Sequence, residues 1–280
     1  MKLVRFGASG HEKPGLLDRS GRIRDLSAHI EDIDAAALAP ESLKRLAALD
    51  PASLPLVEGA QRFGVPVANP SKFVAIGLNY VDHAKEAGMA IPSEPIFFLK
   101  ANSSLSGADD PVEKPRGSTK LDWEVELAVV IGRRAKYVAE AEALDYVAGY
   151  TICNDVSERN FQLERGGTWT KGKSHDGFGP VGPWLATSDE IADPQKLGMW
   201  LDVNGERRQT GNTATMIFTV ARCIAYLSQF VTLLPGDIIT TGTPPGVGTG
   251  MKPPTVLNVG DVVTLGIDGL GTQRQQIVAA

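Results

Sequence analysis

Short apolar runs broken by Gly, Pro, Asn and Asp dominate the chain, and helical periodicity is the exception. Residues 1–30 read as a β meander of KLVRFG, GLLD and RIRDL with Gly and Ser turns between them. ESLKRLAAL (41–49) places apolar residues at 43, 46 and 49, one face of a helix. Residues 51–70 then carry four prolines and read as a linker wrapped over a surface, with a boundary near residue 70. Beyond it strand patterns recur at 73–77, 96–100, 123–132, 150–157, 181–187, 201–210, 237–242 and 262–269. Asn204-Gly205 inside one of them signals a hairpin. Helical patterns fall at 79–88, 141–147, 157–165 and 215–231; the last is apolar on most sides and reads as core or subunit interface. Strands outnumber helices and do not alternate with them. That predicts a strand-dominated α+β fold, a β-sandwich or barrel-like core with peripheral helices, rather than a doubly wound sheet. Residues 1–70 are expected to form a small β-rich N-terminal domain plus linker, and 71–280 the main domain.

Composition narrows the class without naming a chemistry. At 42% hydrophobic and 22% charged, the chain has the make-up of a water-soluble globular protein. No apolar run reaches the roughly 18 residues needed to cross a bilayer. MKLVRFGASGHEKPG reads as strand and turn rather than as the apolar core of a signal peptide, so the expected compartment is the cytoplasm. Cys153 and Cys223 belong to no CxxC pair and read as buried, reduced thiols. A formal charge of −5 with no basic cluster makes nucleic acid a poor partner, and a membrane is not expected either.

The chemistry starts at LDWEVELAVVIG (121–132). In a strand Glu124 and Glu126 point to one face, on a segment whose other residues prefer to be dry. Three arrangements tolerate such a pair: a solvated face, pairing with Arg or Lys, or a divalent cation. Asp155 follows another strand pattern, YTICNDVS, and precedes a helical one. Three carboxylates from neighbouring strands would make an oxygen-rich site suited to Mg²⁺ or Mn²⁺. Zinc prefers nitrogen and sulfur ligands, and no His lies near these acids in sequence.

Three further clusters accompany it. In GLNYVDHAKEAG, His83 and Glu86 stand three residues apart on one helical face. They read either as a base oriented by a carboxylate or as a surface pair. TKGKSHDGFGPVGP carries Lys171 and Lys173. Its consecutive Ser174, His175 and Asp176 cannot readily converge as a hydrolase triad, and no GxSxG elbow is present. TTGTPPGVGTG (240–250) lacks a phosphate-loop pattern and reads as a tight loop lining a pocket or as a plain turn.

Taken in order, these clusters resemble the fumarylacetoacetate hydrolase family over about residues 71–270. The motifs are NYxDH with a Glu three residues on, ExE within an apolar strand, NDVSxR (154–159), KSxDxFxPxGP (173–183) and GTPxGVG (242–248). The resemblance implies a mixed β-roll or sandwich catalytic domain, usually dimeric, with a small N-terminal domain in many members. It implies that Glu124, Glu126 and Asp155 ligate Mg²⁺ or Mn²⁺. His83 with Glu86 would activate water, and Lys173 would neutralise charge. Tyr80, Arg159, Gln162 and Thr243 would meet the substrate. The implied reaction is hydrolysis of a C–C bond in a 2,4-diketo acid, an acylpyruvate or a 2,4-diketo-3-deoxy sugar acid, through a metal-bound enolate. Ureidoglycolate lyase and oxaloacetate decarboxylase chemistries fit the same apparatus. Residues 84–95 and 166–169 are the expected lid pieces, and His175 is expected to face solvent.

Overall fold

The computed structural model describes residues 1–86 and 88–280. Ala87, which falls within both the expected 79–88 helix and the expected lid segment 84–95, lies outside the described residues. The centre is the strand Val125–Ile131, paired antiparallel on one side with Val147–Asn154 and on the other with Ile238–Thr240. All of Val125–Ile131 and Val147–Asn154 is buried, because both faces of this sheet are covered. Alternate side chains therefore enter two different cores. Leu127, Val129 and Ile131 pack with Leu201, Val263 and Leu265 of a second, five-stranded sheet. Ala128 and Val130 pack with Leu3, Leu26, Ile33 and Leu38 of the N-terminal segment.

The ten-stranded sheet runs from the N-terminal meander to an apolar edge. Lys2–Phe6 pairs with Gly179–Thr187, which pairs with Val147–Asn154. Beyond Ile238–Thr240 come Phe73–Gly77, in parallel, and the outermost strand Ile96–Lys100. Residues 1–25 thus extend the sheet that carries the central strands. This is the strand-dominated α+β architecture expected, with the short helices lying outside the sheets. No helix among the described residues is long and apolar enough to cross a membrane.

Local differences from the expected elements have physical causes. Residues Glu140–Tyr146 form a 3₁₀ helix, not an α-helix. The apolar helix spans Val220–Phe230 only, because Thr219 caps it by accepting a hydrogen bond from the Arg222 amide at 3.1 Å. Asn204 and Gly205 both take positive φ (53° and 79°), as the hairpin signal requires. The C-terminal strand Gly271–Ala279 escaped the pattern because its inward positions include Gln273 and Gln275. Both are buried, and Gln273 Nε2 donates to the Ile152 and Gly182 carbonyls at 3.0 Å each.

Arg62 ties the N-terminal layer to the rest. Its guanidinium grips Asp110 through Nε and Nη2, both at 2.6 Å, and reaches Glu12 at 2.8 Å. Burial pushes the Glu12 carboxyl up, yet the hydrogen bond from Arg62 holds it below the ordinary glutamate value. Arg62→Ala is expected to lower the unfolding free energy by about 1–3 kcal/mol, since it takes the cation from Asp110 and leaves Glu12 with Arg5 at 3.6 Å. Urea denaturation followed by circular dichroism measures this.

Candidate metal centre and its cavity

Strand register brings the acids together. Asn154 lies opposite Val125 and Cys153 opposite Glu126. The next residue, Asp155, donates its backbone N–H to the Glu124 carbonyl at 2.9 Å. Glu124 sits in the extended break between Leu121–Asp122 and Val125–Ile131, and its own N–H donates to Asn154 Oδ1 at 3.1 Å. One carboxylate oxygen from each of Glu124, Glu126 and Asp155 lies within 4.8 Å of the others, and all three residues are buried.

Three cations surround this cluster. Lys173 Nζ bridges Glu124 Oε2 and Asp155 Oδ2, at 2.7 Å each. Lys100 Nζ contacts Asp155 Oδ1 and the Lys173 carbonyl, and donates to the Phe178 carbonyl at 3.2 Å. Arg159 Nη2 stands 2.6 Å from Glu124 Oε1, while its Nε donates to Asp122 Oδ2 at 2.9 Å and its Nη1 to Gln162 Oε1 at 3.1 Å. Burial would raise the Glu124 carboxyl, but the charges of Lys173 and Arg159 overcome it and hold the group at about 2. Burial lowers Lys173, and the Asp155 and Glu124 charges more than restore it, so it stays an ammonium ion.

Glu126 is the exception. Its Oε2 accepts from the Gly242 N–H at 2.9 Å, and it forms no ion pair with Lys or Arg among the described residues. Burial, then the neighbouring Asp155 and Glu124 charges, push its carboxyl well above the ordinary value. Four buried carboxylates, counting Asp122, thus face three cations. An all-oxygen donor set with one uncompensated acid fits a hard divalent cation.

The expected base pair opens onto the same space. His83 Nδ1 lies 3.1 Å from Glu86 Oε2, and Glu86 Oε1 accepts from the Gly246 N–H at 2.9 Å. The loop 246–250 also cradles Glu86 closely: a side chain at Gly250 would come within 2.6 Å of its carboxyl carbon. His83, Glu86, Glu124, Glu126, Asp155, Arg159, Gln162, Lys173 and Thr243 all line one cavity of about 520 Å³. A larger cavity of about 640 Å³, beside the helix Pro40–Ala47, contains none of them.

Tyr80 does not join the group. It is fully buried with its hydroxyl 3.2 Å from Met199 Sδ, off the cavity wall. His175 is exposed, and Ser174 Oγ accepts from the Ala101 N–H, so no triad forms among 174–176. Two residues of the site went unassigned in the sequence. Lys100 closes the apolar run IFFLK, where a buried ammonium is unexpected. Asp122 anchors Arg159 and also accepts from the Gly248 N–H at 2.6 Å and the Thr249 hydroxyl at 3.0 Å.

A family model described as fumarylacetoacetate (FAA) hydrolase C-terminal matches residues 72–278. The chain belongs to the fumarylacetoacetate hydrolase family. A family relative from Burkholderia ambifaria, provisionally named a hydrolase, is 61% identical over 276 residues, 98% of each chain. The fumarylacetoacetate hydrolase of psychrophilic Exiguobacterium antarcticum superposes with a TM-score of 0.88 at 36% identity, covering 100% of both chains. Maleylpyruvate hydrolase from Sphingobium sp. SYK-6, solved in complex with manganese(II) and pyruvate, superposes at 0.83 with 31% identity, covering 100% of both chains.

The raised Glu126 carboxyl has a measurable consequence. Below its elevated pKa the group is protonated, and a ligating cation must displace that proton. Apparent Mn²⁺ affinity is therefore expected to rise with pH until Glu126 ionises on its own. Binding should release protons below that point. Calorimetric titration in two buffers of different ionisation enthalpy reads the release.

Proposed function

We propose that this chain is a divalent-metal-dependent hydrolase that cleaves a C–C bond in a 2,4-diketo acid to give pyruvate and a carboxylic acid. The observation that carries this reading is the His83–Glu86 pair and the acidic triad lining one cavity. The manganese and pyruvate of the maleylpyruvate hydrolase structure support it. Glu124, Glu126 and Asp155 would hold the ion, Mg²⁺ or Mn²⁺; when bound, it would act as a Lewis acid on a carbonyl oxygen and as a sink for the electron pair released on scission.

The chain's own groups account for the remaining steps. Glu86 engages His83 Nδ1, leaving Nε2 to take a proton from water. The resulting hydroxide attacks C4. The C3–C4 bond then breaks, its electrons pass to C3, and C4 leaves as the carboxylic acid. A proton returned to C3 completes pyruvate. Lys173 is an ammonium and so cannot be the base; it contributes fixed positive charge beside Glu124 and Asp155. Gln162 and Thr243 offer polar contacts on the cavity wall, where Thr243 Oγ1 is oriented by Gln209 Nε2 at 2.8 Å.

His83→Ala is expected to retain Mn²⁺ binding and to lose about 10²–10⁴-fold in kcat. Glu126→Gln is expected to weaken Mn²⁺ binding by tenfold or more. Turnover of acylpyruvates and oxaloacetate, read as pyruvate release, and of ureidoglycolate, read as glyoxylate and urea release, measured in parallel tests the reaction class. Faster turnover of either of the last two by wild type would replace the hydrolase assignment with a decarboxylase or lyase.

The outermost strand leaves Leu99 49% exposed, and Phe230 of the adjoining helix is 58% exposed. This apolar edge supports a homodimer that buries it. Sedimentation equilibrium is expected to give twice the 29.8 kDa chain mass, and Leu99→Glu to shift the protein toward monomer.

A further inference from the structure

Apart from the nine residues named above, the cavity wall is mostly apolar. It includes Met89, Phe98, Leu163, Trp169, Met251 and Pro254. Thr249, Lys252 and the Trp169 indole N–H are the other polar side-chain groups on the described wall, and Thr249 Oγ1 already donates to Asp122. The aromatic part is fixed. Trp169 lies so close over Gly77 that a side chain there would come within 2.5 Å of its ring, and Phe98 meets it edge-on with centroids 5.2 Å apart. Trp169 sits in the short link between the helix bearing Arg159 and Gln162 and the helix bearing Lys173. At the mouth, Met89 and Leu163 are 52% and 59% exposed although they border the cavity.

We propose that this wall binds the acyl part of the substrate and selects an apolar one, an alkyl chain of four or more carbons or an aryl ring. The proposal rests on the diketo-acid reading above. Hydroxyl groups of a sugar-acid chain would lose water here and find almost no partners. An alkyl or aryl group would instead displace water from Leu163, Trp169 and the adaptable side chains of Met89 and Met251. A terminal carboxylate has only Lys252 to meet. That lysine is exposed, and a solvated ion pair contributes little.

The test uses the Mn²⁺-loaded wild-type enzyme and a lactate dehydrogenase assay for pyruvate. Substrates are acetyl-, hexanoyl-, benzoyl- and succinylpyruvate and a 2,4-diketo-3-deoxy sugar acid. The expected result is a kcat/KM for hexanoyl- or benzoylpyruvate at least tenfold above acetylpyruvate, with the sugar acid below acetylpyruvate. Leu163→Glu, at an exposed position that the fold tolerates, is expected to cut the hexanoyl-to-acetyl ratio at least fivefold. A flat series, or succinylpyruvate or the sugar acid as best substrate, overturns the apolar assignment while leaving the hydrolase reading intact. No pyruvate from any acylpyruvate overturns both.

Discussion

Charge balance among buried side chains is the constraint on which this structure depends. Glu124, Glu126, Asp155 and Asp122 are each at most 5% exposed, and at such depth like charges at close range are not tolerated without compensation. Compensation comes from three separate elements: Lys100 from the edge strand, Arg159 from one short helix and Lys173 from the next. Each cation is itself buried, so removing one would strand a charge on its partner, a change that costs about 3–5 kcal/mol in comparable buried pairs. Four acids against three cations leave a formal −1, which Glu126 relieves by holding its proton. A divalent ion taking that proton's place would leave +1, which would favour an anion. One arrangement thus explains both why the cluster is stable and why it would attract an anion.

The glycine-rich loop acts as a mechanical link within this scheme. Asp122 holds Arg159 on one side and the 248–249 backbone on the other. The same loop presents the Gly246 N–H to Glu86, and Gly246 itself has φ of 102° with no room for a side chain against the Arg208 carbonyl. A buried carboxylate beneath the acidic cluster therefore sets the position of the group that meets His83. The acidic cluster and the His83–Glu86 pair are one construction, held through backbone amides.

How much of this was legible in the sequence depends on whether a residue broke a pattern. Glu124 and Glu126 interrupt an apolar strand, and Asp155 follows another, so all three stood out; strand register then placed them together. His83 and Glu86 announced themselves by helical spacing. Lys100 did not, because a lysine at the end of a strand is the ordinary way for one to finish in solvent, and only the tertiary fold turns this one inward. Asp122 reads as a strand-end acid for the same reason. Tyr80 misled in the opposite direction: it stands in the motif, yet its ring is needed in the core beside Met199. The C-terminal strand was hidden because buried glutamines take the positions where apolar residues would have marked it. The apolar cavity wall draws single residues from five separate stretches, which no local pattern records.

Arg159 and Lys173 show how such a site divides its labour. From the sequence both are natural hands for a substrate carboxylate. In the structure Arg159 Nε and Nη1 are hydrogen-bonded to Asp122 and Gln162, Nη2 lies 2.6 Å from Glu124 Oε1 as an ion pair without hydrogen-bond geometry, and Lys173 spans two acids. A guanidinium so committed cannot swing to a ligand without exposing Asp122 and Glu124 to the full cost of burial. Its influence on an anion in the cavity would therefore be exerted through the field it maintains and through Gln162, whose carbonyl it fixes so that the amide N–H₂ is left to point elsewhere. Fixed charges of this kind would not need to reorganise when a substrate's own charge shifts. The rigidity that burial imposes on these cations is thus the same property that would suit them to the proposed reaction.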